Sequence, residues 1–150
     1  LSNAFIIQAL IDTVEAILPE FLADPEDFRI AEGNMAFYIL DASGNLHGRM
    51  FGTDRAKQRL SGKVAWHKVT QVWLTGKPTG TYERLVYNNE VPWWEYGVPK
   101  DEFIGWEGGV PAQLEDGTVL SLALSGLRGE RDVEVLRKAT GLVGGIRLVD

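Results

Sequence analysis

The chain has 150 residues, 45% hydrophobic and 24% charged, the balance of one globular domain able to bury roughly 68–70% of its unfolded surface. Its formal net charge of -6 argues against a nucleic-acid or anionic-membrane partner. With no cysteine and two histidines, disulfides, thiolate chemistry, cysteine-held metals and a purely histidine-held catalytic zinc are excluded.

Residues 1–4 have the look of a tag remnant and are kept out of the functional reading. Residues 5–18 then place Ile7, Leu10, Ile11, Val14, Ile17 and Leu18 on one stripe, which predicts an amphipathic helix that Pro19 ends or kinks. No apolar run reaches the ~18 residues of a membrane span and no basic region precedes this stretch, so a cytoplasmic protein is expected. Asp24-Pro25-Glu26-Asp27 reads as a capped short turn of helix, with Asp24 as cap and Pro25 at the first helical position.

Residues 35–40, the turn Asp41-Ala42-Ser43-Gly44-Asn45 and residues 46–51 predict a hairpin. Thr53 or Asp54 caps a second long helix that runs to about Leu74 and closes at Gly76 and Pro78. Residues 79–107 have no clean period. A second hairpin follows over residues 110–115 and 118–124, joined at Asp116-Gly117, a pair suited to the positive φ of a tight turn. The last predicted helix runs from about Glu130 to Thr140, with acids at its start, Arg137 and Lys138 near its end and Gly141 after it. Two hairpins among helices predict a single α+β layered domain over residues 1–150, its sheet mainly antiparallel.

On the second helix, Ala56, Leu60, Val64, His67 and Leu74 share one side and Trp66, Val69 and Trp73 another. One side should face the sheet, leaving the other for a loop, a second copy of the chain or a ligand. His67 reads either as a histidine bonded to backbone or as a pocket base or haem ligand, with His47 a weaker candidate for that role. From Arg55 to Tyr82 there are six cations and no acid, a segment suited to an anionic ligand, to solvent or to acidic loops carrying Glu95 and Asp101.

Seven of the fifteen aromatics fall in residues 82–106, where they must pack over a subunit or a flat ligand. Of the adjacent Trp93 and Trp94, one should point inward and one outward. In the last strand Leu120, Leu122 and Leu124 form the core face, and Ser121, Ala123 and Ser125 leave room for a close neighbour. Gly108-Gly109 opens the partner strand and Ser125-Gly126 closes this one. The two glycine-bearing ends should meet at one rim, beside a helix N-terminus suited to an anion. That rim is either a backbone-lined site or a glycine bulge with no ligand. No Gly-x-Ser-x-Gly, P-loop, Gly-x-Gly-x-x-Gly or His-Glu-x-x-His pattern is present.

The stretch GGVPAQLEDGTVLSLALSGLRGERDVEVLRKA, together with KVTQVW from Lys68 and YGVPKDEFIGWEGGVP, resembles the GlcG/HbpS-like proteins, the haem-degrading domain family, over roughly residues 34–140. The resemblance implies a profilin-like fold, oligomeric assembly and a small-molecule ligand, with haem the leading candidate. It points to Lys68, Gly108, Gly109, Ser125 and Gly126 as binding positions, and His67 matches no family histidine. On this reading the chain binds a small planar or anionic ligand and forms a homo-oligomer. The alternatives are an interaction module and an enzyme acting on a small hydroxy acid.

Overall fold

Two stretches of alternating residues and their turns set the sheet. In the computed structural model, which describes residues 2–92 and 94–150, β1 (Ala36–Leu40) and β2 (Leu46–Met50) form one hairpin. β3 (Gly109–Leu114) and β4 (Val119–Ser125) form the other, turning at Gly117 with φ +89°. β1 also pairs with β4, and a short β5 (Ile146–Leu148) pairs with β3. The strand order is β2-β1-β4-β3-β5 and every neighbouring pair is antiparallel, as the α+β reading expects.

Helices cover both faces. α1 (Asn3–Leu22) and α5 (Gly129–Val143) pack on the face carrying Phe37, Ile39, Val110, Ala112, Leu120, Leu122 and Leu124, which is the main core. A seven-residue α2 (Pro25–Ala31), capped by Asp24, follows α1. α3 (Arg55–Thr75) lies on the other face, over β1, β4 and β3, and α4 (Thr79–Tyr87) follows it.

α3 corrects the sequence reading. Its buried stripe, Ser61, Ala65, Lys68, Val69, Val72 and Thr75, is centred between the two apolar sides and takes Val69 from the second. Leu60 and Leu74 on one flank and Trp66 and Trp73 on the other remain 45–61% exposed. The reason is steric: β4 presents Ser121, Ala123 and Ser125 to α3, and β3 presents Gly109, so the helix seats closest through small residues. Over that small face close approach outweighs hydropathy.

Four other boundaries move. Pro19 neither ends nor breaks α1, which continues to Leu22 because buried Leu18 and Phe21 anchor its last turn. α5 runs through Gly141 and stops at Gly144, whose φ of +76° suits glycine. α4 carries no apolar stripe, since Thr79 and Tyr82 are its buried residues, and so leaves no period in the sequence. β5 is three residues long, too short to show alternation.

Candidate functional site

Lys68 is the side chain around which the rim of the sheet is built. It leaves the buried stripe of α3 with 2% of its surface exposed and donates to the Leu124 carbonyl at 3.0 Å. Its Nζ also lies 3.4 Å from Oδ2 of Asp132 in the first turn of α5. The pair thus bridges the helical layers on the two faces of the sheet. Asp132 is itself 1% exposed, and its Oδ1 accepts the Leu127 N–H at 3.1 Å. Burial pushes the Asp132 carboxyl up to about 7 and the Lys68 ammonium down, each opposed by the other's charge.

This answers what the double glycine does. Gly108 has φ +121°, and a Cβ there would lie 2.5 Å from Lys68 Nζ and 2.7 Å from the Leu124 carbonyl. At Gly109 a Cβ would meet Thr79 at 2.7 Å and Val72 at 3.0 Å. The first glycine makes room for the lysine and the second for the seating of α3 and α4.

The two glycine-bearing ends are neighbours, as the hairpin geometry predicts: Leu124 N–H donates to the Gly108 carbonyl at 2.9 Å, and Gly109 pairs with Ala123. A pocket of about 530 Å³ opens on the Ser125-Gly126 side of this rim. The end of α2 supplies Ile30, Ala31 and Glu32, and α3 supplies Lys57, Leu60, Ser61, Val64 and Lys68. Residues 125–129, Asp132 and Trp106 complete it. Lys68, Ser125 and Gly126 are therefore brought together in the wall. Gly108 and Gly109 stand behind Lys68, outside the lining, and His67 lies half-buried on α3 away from it.

A second buried acid fixes the pocket's far side. Asp27 of α2, fully buried, accepts from Arg128 Nε at 2.8 Å, from the Arg128 backbone N–H at 3.3 Å and from Arg131 Nε at 3.0 Å. The Arg128 guanidinium hydrogen-bonded to it holds the Asp27 carboxyl down at about 2. The clamp joins α2 to the first turn of α5 and so sets the distance between two walls. Nothing in the sequence pattern links residues 101 positions apart.

Every cation in the lining already has an acidic partner. Lys68 has Asp132, Lys57 has Glu32 at 2.7 Å, and Arg128 has Asp24 and Asp27. The six cations between Arg55 and Tyr82 do not pair with Glu95 or Asp101 in any of the ion pairs formed by the described residues, and Lys77, just past α3, sits 5.5 Å from the Tyr96 ring centre.

The aromatic segment packs mostly on itself. Tyr82 is buried and meets the Tyr96 and Phe103 rings at 6.0 and 5.6 Å between centres. Trp94 is 65% exposed, and Trp93 lies outside the described residues. Among the described residues of the segment, Trp106 alone reaches the pocket. Its carbonyl accepts from Thr79 Oγ1 at 2.6 Å, and nearby Ile104 is held at both N–H and carbonyl by the Gln71 amide, at 2.9 and 2.8 Å.

Haem requires a donor for its iron. Among the described residues the lining holds no histidine, cysteine, methionine or tyrosine, and Lys68 is committed to Leu124 and Asp132. His47 pairs with Asp41 at 3.0 Å and stands opposite Ile39, on the face away from α3. The residues present do not fit an axially ligated haem in this pocket. No group of three or more metal-ligating side chains occurs among the described residues, and none of their helices is long and apolar enough to cross a membrane.

Fold and pocket together define a layered α+β domain with a partly open pocket at one rim of its sheet. No protein-family model and no curated protein matches the sequence. Among solved structures the chain is similar to the PduOC:heme complex, at 13% identity and TM-score 0.74, covering 100% of this chain and 99% of that one. It is similar to the Klebsiella pneumoniae protein ORFY of the DUF336 family, at 15% identity, TM-score 0.70 and coverage of 95% and 90%. HbpS matches at 15% identity and TM-score 0.60, over 92% and 89%. The likeness to GlcG/HbpS-like proteins read from the sequence is thus matched in the fold.

Proposed function

We propose that this chain is a GlcG/HbpS-like small-molecule-binding protein whose ligand occupies the pocket between α2, α3 and the start of α5. The observation that carries the reading is the buried Lys68–Asp132 pair beside Ser125 in the wall of a mainly apolar pocket of about 530 Å³, a size typical of ligand sites. A relative in fold is described as a haem complex, which favours a ligand with a flat apolar body. Because no axial donor lines this pocket, the ligand is a smaller molecule with a polar or anionic end. Titration with haemin and with a panel of small organic acids, followed by tryptophan fluorescence, tests this. Saturable binding of at least one probe, abolished by Val64→Trp, is expected. Binding of every probe insensitive to that substitution places the site elsewhere and overturns the reading.

A second reading concerns assembly. Trp66, Trp73, Leu46 and Met50 are 44–49% exposed, on the flank of α3 and the same face of edge strand β2. An apolar face beside an open sheet edge suits a second copy of the chain, in line with the homo-oligomer expected from the resemblance. Light scattering should report more than one copy per particle, and Trp66→Glu/Trp73→Glu should return a monomer. A monomeric parent protein overturns it.

A further inference from the structure

The pocket's unspent hydrogen-bonding capacity identifies the chemistry of its occupant. Ser125 is 7% exposed, lines the pocket and has no hydrogen-bond partner for its hydroxyl among the described residues. Beside it α5 begins without a capping side chain: Arg128 stands at the cap, and its guanidinium, which has no acceptor to offer the helix, donates to Asp24 and Asp27. The N–H groups of Leu127 and Arg128 are taken by Asp132 and Asp27. Those of Gly129 and Glu130, next in the first turn, have no protein acceptor among the described residues, and Gly129 lines the pocket. This corner therefore offers donors and a helix N-terminus and asks for an acceptor.

The charge balance limits what that acceptor is. All three lining cations are matched by carboxylates of the protein, so a dianion such as a phosphate monoester finds no free counter-charge. One negative charge spread over two oxygens is matched by a hydroxyl, two N–H groups and the partial positive charge of α5. Next to this corner, Trp106 is 67% exposed on a backbone held by Thr79 and packed against Gly129, whose Cβ position lies 3.1 Å from the Glu107 nitrogen. Leu60, Val64 and Leu127 form the rest of the apolar wall. An indole with a fixed base and an open face is suited to a flat ring.

We propose that the pocket takes a monocarboxylate with a planar apolar body, its carboxylate on Ser125 and the first turn of α5 and its ring against Trp106. This rests on the ligand-pocket reading above and names the class of ligand. Trp106 and Ser125 are binding residues with separable roles. Ser125 recognises the charged end, and Trp106 recognises the body.

Benzoate and its neutral isostere benzamide separate these roles, read by amide chemical shifts of the whole protein and by tryptophan fluorescence. Benzoate should shift the Gly129 and Glu130 amides and bind about tenfold tighter than benzamide, the discrimination of one charge-assisted contact. Ser125→Ala should erase that preference, and Trp106→Ala should weaken both ligands alike. Both substitutions leave the core intact, so folding does not obscure the result. Equal affinity for the two ligands, with the pocket amides shifted, overturns the carboxylate assignment and leaves the pocket reading standing. Failure of both ligands while another probe binds in a manner blocked by Val64→Trp likewise overturns this proposal alone.

Discussion

Lys68 and Gly108 exclude one another's larger alternatives: the space a Cβ on Gly108 would need begins 2.5 Å from the Lys68 ammonium. Gly108 also holds φ +121°, where side chains are strained. Gly108→Ala should therefore cost about 1–3 kcal/mol, through backbone strain together with displacement of the lysine from Leu124 and Asp132. Chemical denaturation of Gly108→Ala, Lys68→Met and the double variant measures the coupling. The double variant should be less destabilised than the sum of the two, since the second change removes what the first collides with. Strict additivity contradicts the steric link.

The Lys68–Asp132 pair is buried at both ends, with 2% and 1% of each residue exposed. Removing one partner leaves an uncompensated charge in the interior, so Lys68→Met and Asp132→Leu should each cost on the order of 3–5 kcal/mol. Replacing both at once should recover much of that loss, because an apolar pair needs no desolvation of charge. Recovery in stability with continued loss of ligand binding would assign the pair to the site rather than to folding. A double variant no more stable than the worse single variant contradicts the prediction.

Asp132 also predicts a pH dependence. Burial raises its carboxyl to about 7, above the 3.8 of the unfolded chain, so the folded protein binds this proton more tightly. Its stabilising contribution is complete below about pH 4 and declines as pH rises through about 7. Two further carboxylates act on the pair: Glu107 favours the Lys68 ammonium, and Asp27 adds to the upward push on Asp132. Carboxyl ¹³C titration of Asp132 reads the group directly, and its midpoint should fall near neutrality. A midpoint at the ordinary aspartate value, about 4, contradicts the burial argument.

The parts legible in the sequence are those that local chemistry decides. Alternation in residues 119–125 and the Asp116-Gly117 turn define the β3–β4 hairpin, and with it the meeting of Gly108-Gly109 and Ser125-Gly126 at one rim. The orientation of α3 was not legible by hydropathy, because the helix buries Ser61, Ala65 and Lys68 and leaves Leu60 and Trp73 out. A signal for it existed in the small residues that β4 and β3 turn toward that helix. The acidic partners Asp132 and Asp27 depend on tertiary packing over 64 and 101 positions, which no local pattern encodes. Trp106 is one aromatic among many in the sequence, and what distinguishes it is tertiary: Tyr82, Tyr96 and Phe103 pack on one another, whereas Trp106 lines the pocket.

Asp27 links the far wall of the pocket to stability in the opposite pH direction. Its carboxyl, held down at about 2 by the hydrogen-bonded Arg128, lies below the unfolded value of 3.8. The stabilisation is present above about pH 4 and is lost as pH falls through about 2, so acid should release α2 from the start of α5. Asp27→Asn keeps the shape and removes the charge that Arg128 and Arg131 share. Both arginines are partly exposed, at 35% and 26% of their side chains, so solvent screens the loss to about 1–3 kcal/mol. Because the clamp spaces Ile30 and Ala31 from Arg128 and Gly129 across the pocket, ligand affinity should fall in the same variant while Lys68 and Asp132 remain paired. Denaturation and ligand titration on Asp27→Asn, with Asp24→Asn as the weaker exposed counterpart, give the two readouts. Loss of stability with unchanged affinity would mean that the pocket keeps its width without the clamp.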